Sequence, residues 1–210
     1  MGIKRCADIA LATVGLVLTG PLLLVTALLV RWKLGSPVLF RHRRPGLGGE
    51  PFTLYKFRTM TDARDAEGDL LDDEARMTPF GQRLRSTSLD ELPELFCVLT
   101  GRMSLVGPRP LMMKYLPLYN ARQARRHEMK PGITGWAQVN GRNNVPWEQR
   151  LEMDVWYVEN WTLLLDLRIL LRTLLYVVKR EDVSPQGHVT MEEFKGTPPR
   201  RQSGESSQTP

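Results

Sequence analysis

Residues 11–30 read LATVGLVLTGPLLLVTALLV, an unbroken run without a charge, and from Cys6 onward the only charge before Arg31 is Asp8. As a straight helix this run is about 30 Å long, enough to cross the hydrocarbon core of a bilayer. No small-residue cleavage signature follows it, so the segment is expected to be retained. Three readings compete: a spanning anchor, a buried core helix, and a broken helix that enters and leaves by one face. Gly20-Pro21 falls midway, where proline removes a helical hydrogen bond and crowds the preceding turn. Each arm then reaches only about 15 Å, half the hydrocarbon thickness. Thr19 is the nearest hydroxyl for the carbonyls that Pro21 releases. Lys4 and Arg5 precede the segment, and Arg31, Lys33, Arg41, Arg43 and Arg44 follow it. Basic excess marks the cytoplasmic side of a membrane segment, and here both ends carry it. A re-entrant helix over residues 1–34, broken at Gly20 and Pro21, is therefore expected, with a kinked span as the alternative.

Outward from that segment, Val38-Leu39-Phe40 and Phe52-Thr53-Leu54-Tyr55 are rich in strand formers and flank a turn signal at Arg44–Gly49. This pattern predicts a small hairpin. Residues 62–74 read as a polar loop or solvated helix, Phe80–Leu84 as a short helical turn, and Leu111–Met129 as helical despite Pro117. Lys130–Asn144 is turn-rich. Trp147–Trp161 is amphipathic and heavy in aromatics. In Thr162–Lys179, Asp166, Arg168 and Arg172 interrupt the apolar pattern too often for a span. Arg168, Arg172 and Lys179 fall near one helical face, which predicts a helix lying in the membrane interface; a core-packed amphipathic helix is the alternative. The expected organisation is a membrane helix (1–34), a catalytic domain at the interface (35–184), and a flexible polar tail (185–210). The fold class is α-rich α+β.

The 210 residues carry a formal charge of +6, which suits phosphate, anionic lipid or nucleic acid. The membrane segment and interfacial aromatics speak against nucleic acid. Cys6 and Cys97 are far apart and give no metal or disulfide spacing, and Cys97 sits in an apolar run as a small hydrophobe. His42, His127 and His188 are scattered, so no zinc site is expected.

Ser86–Leu95, read STSLDELPEL, holds the most chemistry. In structural terms Ser88 and Glu91 form a capping box, acidic residues favour a first helical turn, and Pro93 belongs near a helix start. In functional terms Asp90 and Glu91 point about 100° apart and divide their work. A carboxylate at a helix N-terminus is expected to stay ionised at low pKa and to need no base to act as a nucleophile. Its attack on a diphosphate meets like charge, which cations or a metal must neutralise. Lys56 and Arg58, Arg85, Arg109 between two prolines, and Arg142 after Gly141 are the candidates. Magnesium suits such a site, since it uses few carboxylates and leans on substrate phosphates.

Four ordered blocks, Tyr55–Met60 (YKFRTM), Arg85–Pro93 (RSTSLDELP), Gly107–Pro110 (GPRP) and Lys130–Asn143 (KPGITGWAQVNGRN), resemble the bacterial sugar transferases. Among these the chain is similar to the monotopic phosphoglycosyl transferases of the compact PglC type, over its whole length up to the polar tail. The resemblance implies a re-entrant helix, interfacial helices and a catalytic face at the cytoplasmic side of the bacterial inner membrane. It implies that Asp90 attacks the sugar-bearing phosphate of a UDP-sugar and releases UMP, and that polyprenyl phosphate collects the phosphosugar. It also implies Mg2+ near Asp90, phosphates held by Lys56, Arg58, Arg85 and Arg109, and help from Arg142 with the nucleotide. Glu91 is expected to orient the metal or to receive a proton from the lipid phosphate. An N-acetylated UDP-sugar is the expected donor. One departure is Gly20-Pro21 where the family commonly has Ser-Pro. The rivals are a membrane-bound metal-dependent diphosphate hydrolase and a non-enzymatic basic adaptor for anionic lipid.

Overall fold

The apolar N-terminal segment forms one helix, α1 (Gly2–Lys33), in the computed structural model, which describes residues 2–141, 145–179 and 193–196. The helical backbone runs through Gly20 and Pro21, so these residues do not separate two helices. Thr19 Oγ1 donates to Gly15 O at 2.7 Å, within the turn before the proline. Val17, Leu18, Leu24 and Leu28 are exposed, and α1 is the one described helix long and apolar enough to cross a membrane.

What is buried on α1 forms a stripe along the rest of the molecule: Lys4, Asp8 and Ala12 at one end, Thr26 and Val30 at the other. Lys4 Nζ donates to Val106 O at 3.0 Å and pairs with Asp166 Oδ2 at 2.5 Å. Asp8 Oδ1 accepts from Ser104 Oγ and from the Leu105 amide, each at 3.0 Å. Arg5 donates to Val98 O and Leu99 O at the C-terminal end of helix α4 (Glu94–Leu99), where a cation complements the helix dipole. Lys4 and Arg5, read from sequence as flanking charges beside the lipid, instead bind protein acceptors. At the far end, Val30 packs with Phe57 and Leu84.

The expected hairpin is present. Strand β1 (Leu39–Pro45) pairs antiparallel with β2 (Pro51–Phe57), in a register that sets Arg44 opposite Phe52. Gly48 and Gly49 turn the chain with φ of 65° and 80°, a backbone open to glycine at little cost. Phe52 and Leu54 face a core shared with Ala12, Cys97, Val98 and Met103. The polar stretch after β2 holds only the short helix α2 (Asp73–Arg76). Helix α3 (Pro79–Ser86) starts at Thr78, whose side chain accepts from the Gly81 amide at 3.0 Å. Gly81 is pressed on the Thr59 carbonyl so closely that a Cβ there would lie 1.8 Å from the oxygen.

A second sheet, not expected from sequence, joins β3 (Ser104–Val106) in parallel to β4 (Gly132–Thr134). Between them the stretch expected to be helical breaks into short turns: a 3-10 segment at Met113–Leu118 containing Pro117, helix α5 (Ala121–Ala124) with an Asn120–Gln123 capping box, and a 3-10 turn at Arg125–Glu128. Helices α6 (Trp136–Gly141), α7 (Trp147–Glu159) and α8 (Leu163–Lys179) follow. Leu165 and Ile169 of α8 pack with Val106, Val139 and Tyr157. Its other apolar face, with Leu164, Leu167, Leu171, Leu174 and Leu175, is exposed, so the core-packed alternative holds for only one side. Of the stretch expected as a polar tail, residues 193–196 are described, and Phe194 is buried against Tyr115, Tyr119 and Trp147.

Candidate active site

The Asp90-Glu91 pair does not begin a capped α-helix. Ser88 has φ 55° and ψ 16°, a left-handed backbone that is uncommon outside glycine, and its side chain makes no cap bond. The expected capping box is therefore absent. The chain instead makes a 3-10 turn over Leu89–Glu91, and α4 begins after Pro93. This tight double turn sends the three carboxylates of Asp90, Glu91 and Glu94 toward the end of β2, where Lys56 lies.

Glu91 Oε1 accepts from Lys56 Nζ at 2.5 Å and from Arg109 Nη2 at 2.5 Å. Lys56 Nζ also lies 3.2 Å from Glu94 Oε1. Burial acts to lift the Glu91 pKa, but Arg109 and Lys56 outweigh it and hold the carboxyl well below the usual range. Glu91 is thus a fixed anion, a poor receiver of a proton from any ligand. Glu94, with its side chain 3% exposed, is pushed by burial and by Glu91 up to about 7.

Asp90 behaves differently from its neighbour. It is buried, and among the described residues no hydrogen bond or ion pair holds its carboxylate; Lys56, Arg85 and Arg109 act on it only through their charge. Burial, then the charge of Glu91, push its pKa up to about 6 against the pull of those cations. The low pKa expected from a helix terminus is overturned, because desolvation exceeds the small dipole of a single 3-10 turn. Two adjacent carboxyls whose surroundings drive their ionisation apart are equipped for different tasks.

Four of the six residues read as candidates for this chemistry besides Asp90 meet here: Glu91, Lys56, Arg109 and Arg85, the last bonded through Nε to Thr59 Oγ1 at 3.1 Å. Arg58 does not join them. Its guanidinium is committed to Met60 O, Ser36 O and Asp62 Oδ2, at 2.9, 2.9 and 2.8 Å, which ties the segment after α1 to the end of β2. Arg142 lies outside the described residues. Glu94 was missed, although its spacing of three and four from Glu91 and Asp90 is a helical-face signal. Arg44 was read only as a flanking charge. Its Nε is enclosed without a hydrogen-bond partner, and burial and neighbouring Arg109 lower its pKa.

Magnesium needs one or two carboxylates and completes its shell with water and phosphate oxygens. Among the described residues no group of three or more acidic, His or Cys side chains is arranged for a metal. Asp90, free of protein partners, fits a site that the protein supplies with a single carboxylate. Glu91 and Glu94 are already engaged by cations.

The site sets an ionisable carboxylate without a hydrogen-bonded partner among lysine and arginine, in a molecule with a long exposed apolar helix, an arrangement suited to anionic phosphate groups. The bacterial sugar transferase family matches over residues 1–180, and the chain belongs to that family. It is 56% identical over 197 residues to an uncharacterised sugar transferase, EpsL, of Bacillus subtilis, covering 94% of this chain and 98% of that protein. It is 42% identical over 187 residues to the UDP-glucose:undecaprenyl-phosphate glucose-1-phosphate transferase of Xanthomonas campestris, covering 83% of this chain and 38% of that protein. It is 39% identical over 189 residues to the galactosyl transferase CpsE of Streptococcus agalactiae, covering 83% of this chain and 42% of that protein. The chain therefore matches EpsL nearly end to end and spans about two fifths of the two longer relatives.

Proposed function

We propose that this chain transfers a sugar 1-phosphate from a UDP-sugar to polyprenyl phosphate, with Asp90 as the nucleophile. The observation that carries the reading is the contrast within the cluster: Glu91 and Glu94 are tied to cations, whereas Asp90 is not. An Asp90 oxygen attacks the sugar-bearing phosphorus, and the bridging P–O bond breaks to release UMP. The sugar phosphate is then carried as a mixed anhydride on Asp90. An oxygen of the lipid phosphate attacks the same phosphorus, the bond to Asp90 breaks, and the carboxylate is restored. Lys56, Arg85 and Arg109 offset the like charge that both attacks meet. Asp90 would be the protein's carboxylate for a magnesium ion, which would supply further charge neutralisation.

The setting at the membrane supports the same reading. Both ends of α1 rest on one folded domain, through Lys4, Arg5 and Asp8 at one end and Val30 at the other. A rigid span sets its ends about 30 Å apart on opposite sides of the hydrocarbon. A helix that bends at Pro21 without losing its helical backbone, and so enters and leaves by the cytoplasmic face, would keep both contacts. The exposed leucines of α8 and the exposed Trp32 and Trp156 fit a domain seated in the headgroup layer, where a lipid phosphate and a soluble nucleotide both reach Asp90.

Intact-mass measurement after rapid quench of the protein with UDP-sugar alone tests the mechanism. The wild type gains one sugar phosphate and Asp90→Asn gains none; transfer that survives Asp90→Asn overturns the assignment. UDP-glucose, UDP-galactose and an N-acetylated UDP-hexose form the donor panel, since the named relatives act on different sugars and the resemblance to PglC-type enzymes implies an N-acetylated one. Hydrolysis is the second reading. Glu94 has the ionisation of a water-activating base, but it is enclosed and paired with Lys56. Steady UMP release without acceptor lipid favours hydrolysis over transfer. An adaptor role gives the carboxylate cluster no task.

A further inference from the structure

Arg126 and Asp154 form a nearly sealed ion pair that the proposed chemistry does not use, their side chains 1% and 4% exposed. Arg126 donates through Nε and Nη2 to the single oxygen Oδ2 of Asp154, at 3.0 and 2.6 Å. The same Nη2 reaches the backbone carbonyl of Arg109 at 2.7 Å. A buried pair of this kind is no more stable than apolar residues of similar volume, so stability alone does not account for it.

Its contact with Arg109 does. Arg109 stands between Pro108 and Pro110, which fix their own φ, lack an N–H, and hold the residue before Pro110 away from helical backbone. No regular ladder takes up the carbonyls of this stretch. Pro108 O accepts from the Gly132 amide at 3.1 Å, and Arg109 O accepts from Arg126. The backbone of Arg109 is thus clamped on both sides of its Cα. From that clamp its guanidinium reaches Glu91, which in turn holds Lys56. A continuous path runs from α7 through Arg126 to the cluster around Asp90.

We infer that Arg126, braced by Asp154, is the positioning residue that aims the Arg109 guanidinium at Glu91 and at the substrate phosphates. The assignment of the phosphates rests on the transferase reading above; the aiming of Arg109 does not. Lysine at 126 keeps the charge but has one point of attachment and no fork to span Asp154 and the carbonyl. A misplacement of about 1 Å in a charge-stabilising group costs on the order of a hundred-fold in rate.

The test uses the full-length protein in detergent, with two readouts. The first is the Nε–Hε resonance of Arg109 in a 15N-labelled sample, assigned by its loss in Arg109→Lys. Arg126→Lys is expected to move it toward the position of a solvated arginine; an unmoved resonance overturns the proposal. The second is UMP release with UDP-sugar and polyprenyl phosphate. Arg126→Lys is expected to lower kcat/KM at least ten-fold alone, but less than two-fold when added to Arg109→Lys, because the two act as one unit. Losses that multiply independently overturn it. If Arg126→Lys does not fold, Asp154→Asn, which retains an acceptor oxygen and its volume, is read in the same two ways. A wild type without turnover rejects the transferase reading, and the resonance still decides the positioning claim.

Discussion

Lys4 Nζ and Asp166 Oδ2 stand 2.5 Å apart although 162 positions separate them in sequence, and both side chains are close to nine-tenths buried. Asp166 also accepts from Tyr157 OH at 2.6 Å and from Trp161 Nε1 at 3.0 Å, so the start of α1 is fastened to the start of α8 by a hydrogen-bonded anion. Among the described residues Lys4 is the one ion-pair partner of Asp166, and Lys4→Met removes it. Breaking one side of a buried pair costs about 3–5 kcal/mol. Thermal unfolding in detergent is expected to show that loss for Lys4→Met, and a smaller one for Lys4→Met combined with Asp166→Asn. Equal losses in the single and double variants contradict the pairing.

The ionisation of Asp90 predicts a kinetic pH profile. An attacking carboxylate must be unprotonated, so kcat/KM for the UDP-sugar falls below a pKa of about 6 and is about ten-fold below its plateau one unit lower. Arg85 stabilises the anion and Glu91 opposes it. Arg85→Gln is thus expected to move the acid limb to higher pH, and Glu91→Gln to lower pH, whatever their effects on the plateau. Shifts of the same sign reject this account of the electrostatics.

The same group makes a stability prediction of definite sign. A carboxyl whose pKa is raised from 3.8 to about 6 on folding binds its proton more tightly in the native state. Its contribution is therefore most favourable below about pH 4, declines between about pH 4 and 6, and is a full penalty above that. Asp90→Asn removes the penalty. It is expected to raise stability at pH 7.5 by on the order of 2 kcal/mol and to give no gain at pH 4. Denaturant titration at the two values checks it, and an equal effect at both points to packing instead.

Topology is tested by labelling exposed positions beyond each end of the apolar run. Cys6 is exposed and must first become serine, whereas Cys97 is buried. In that background Ile3→Cys and Lys33→Cys are both expected to react only with reagents that have access to the cytoplasmic side. Reaction from opposite sides reinstates the kinked span.

The sequence was most informative where a few neighbouring residues decide the outcome. The hairpin followed from the turn signal at Arg44–Gly49 between strand formers, and α7 and α8 from apolar periodicity. The acidic pair and three of its cations were visible because their chemistry is local to short motifs. Features that depend on distant partners were not. Ser88 has the composition of a cap, yet its backbone lies in the left-handed region between α3 and the 3-10 turn, and its side chain makes no cap bond. Arg58 is the same residue type as Arg85, and only the position of Ser36 and Asp62 shows that it ties loops together. Lys4 and Asp8 were counted by their charge, and their partners, acceptors for Lys4 and donors for Asp8, lie about a hundred or more residues away.

The ring of Tyr115, Tyr119 and Trp147 around Phe194 has a practical bearing on how this protein is handled. The family match stops at residue 180, an obvious place to trim an expression clone. Cutting there takes away Phe194 and leaves its aromatic neighbours facing a hole beside the Arg126 turn, and emptying a phenylalanine-sized site costs about 3–5 kcal/mol. Clones for purification or crystallisation therefore need to run through Gly196.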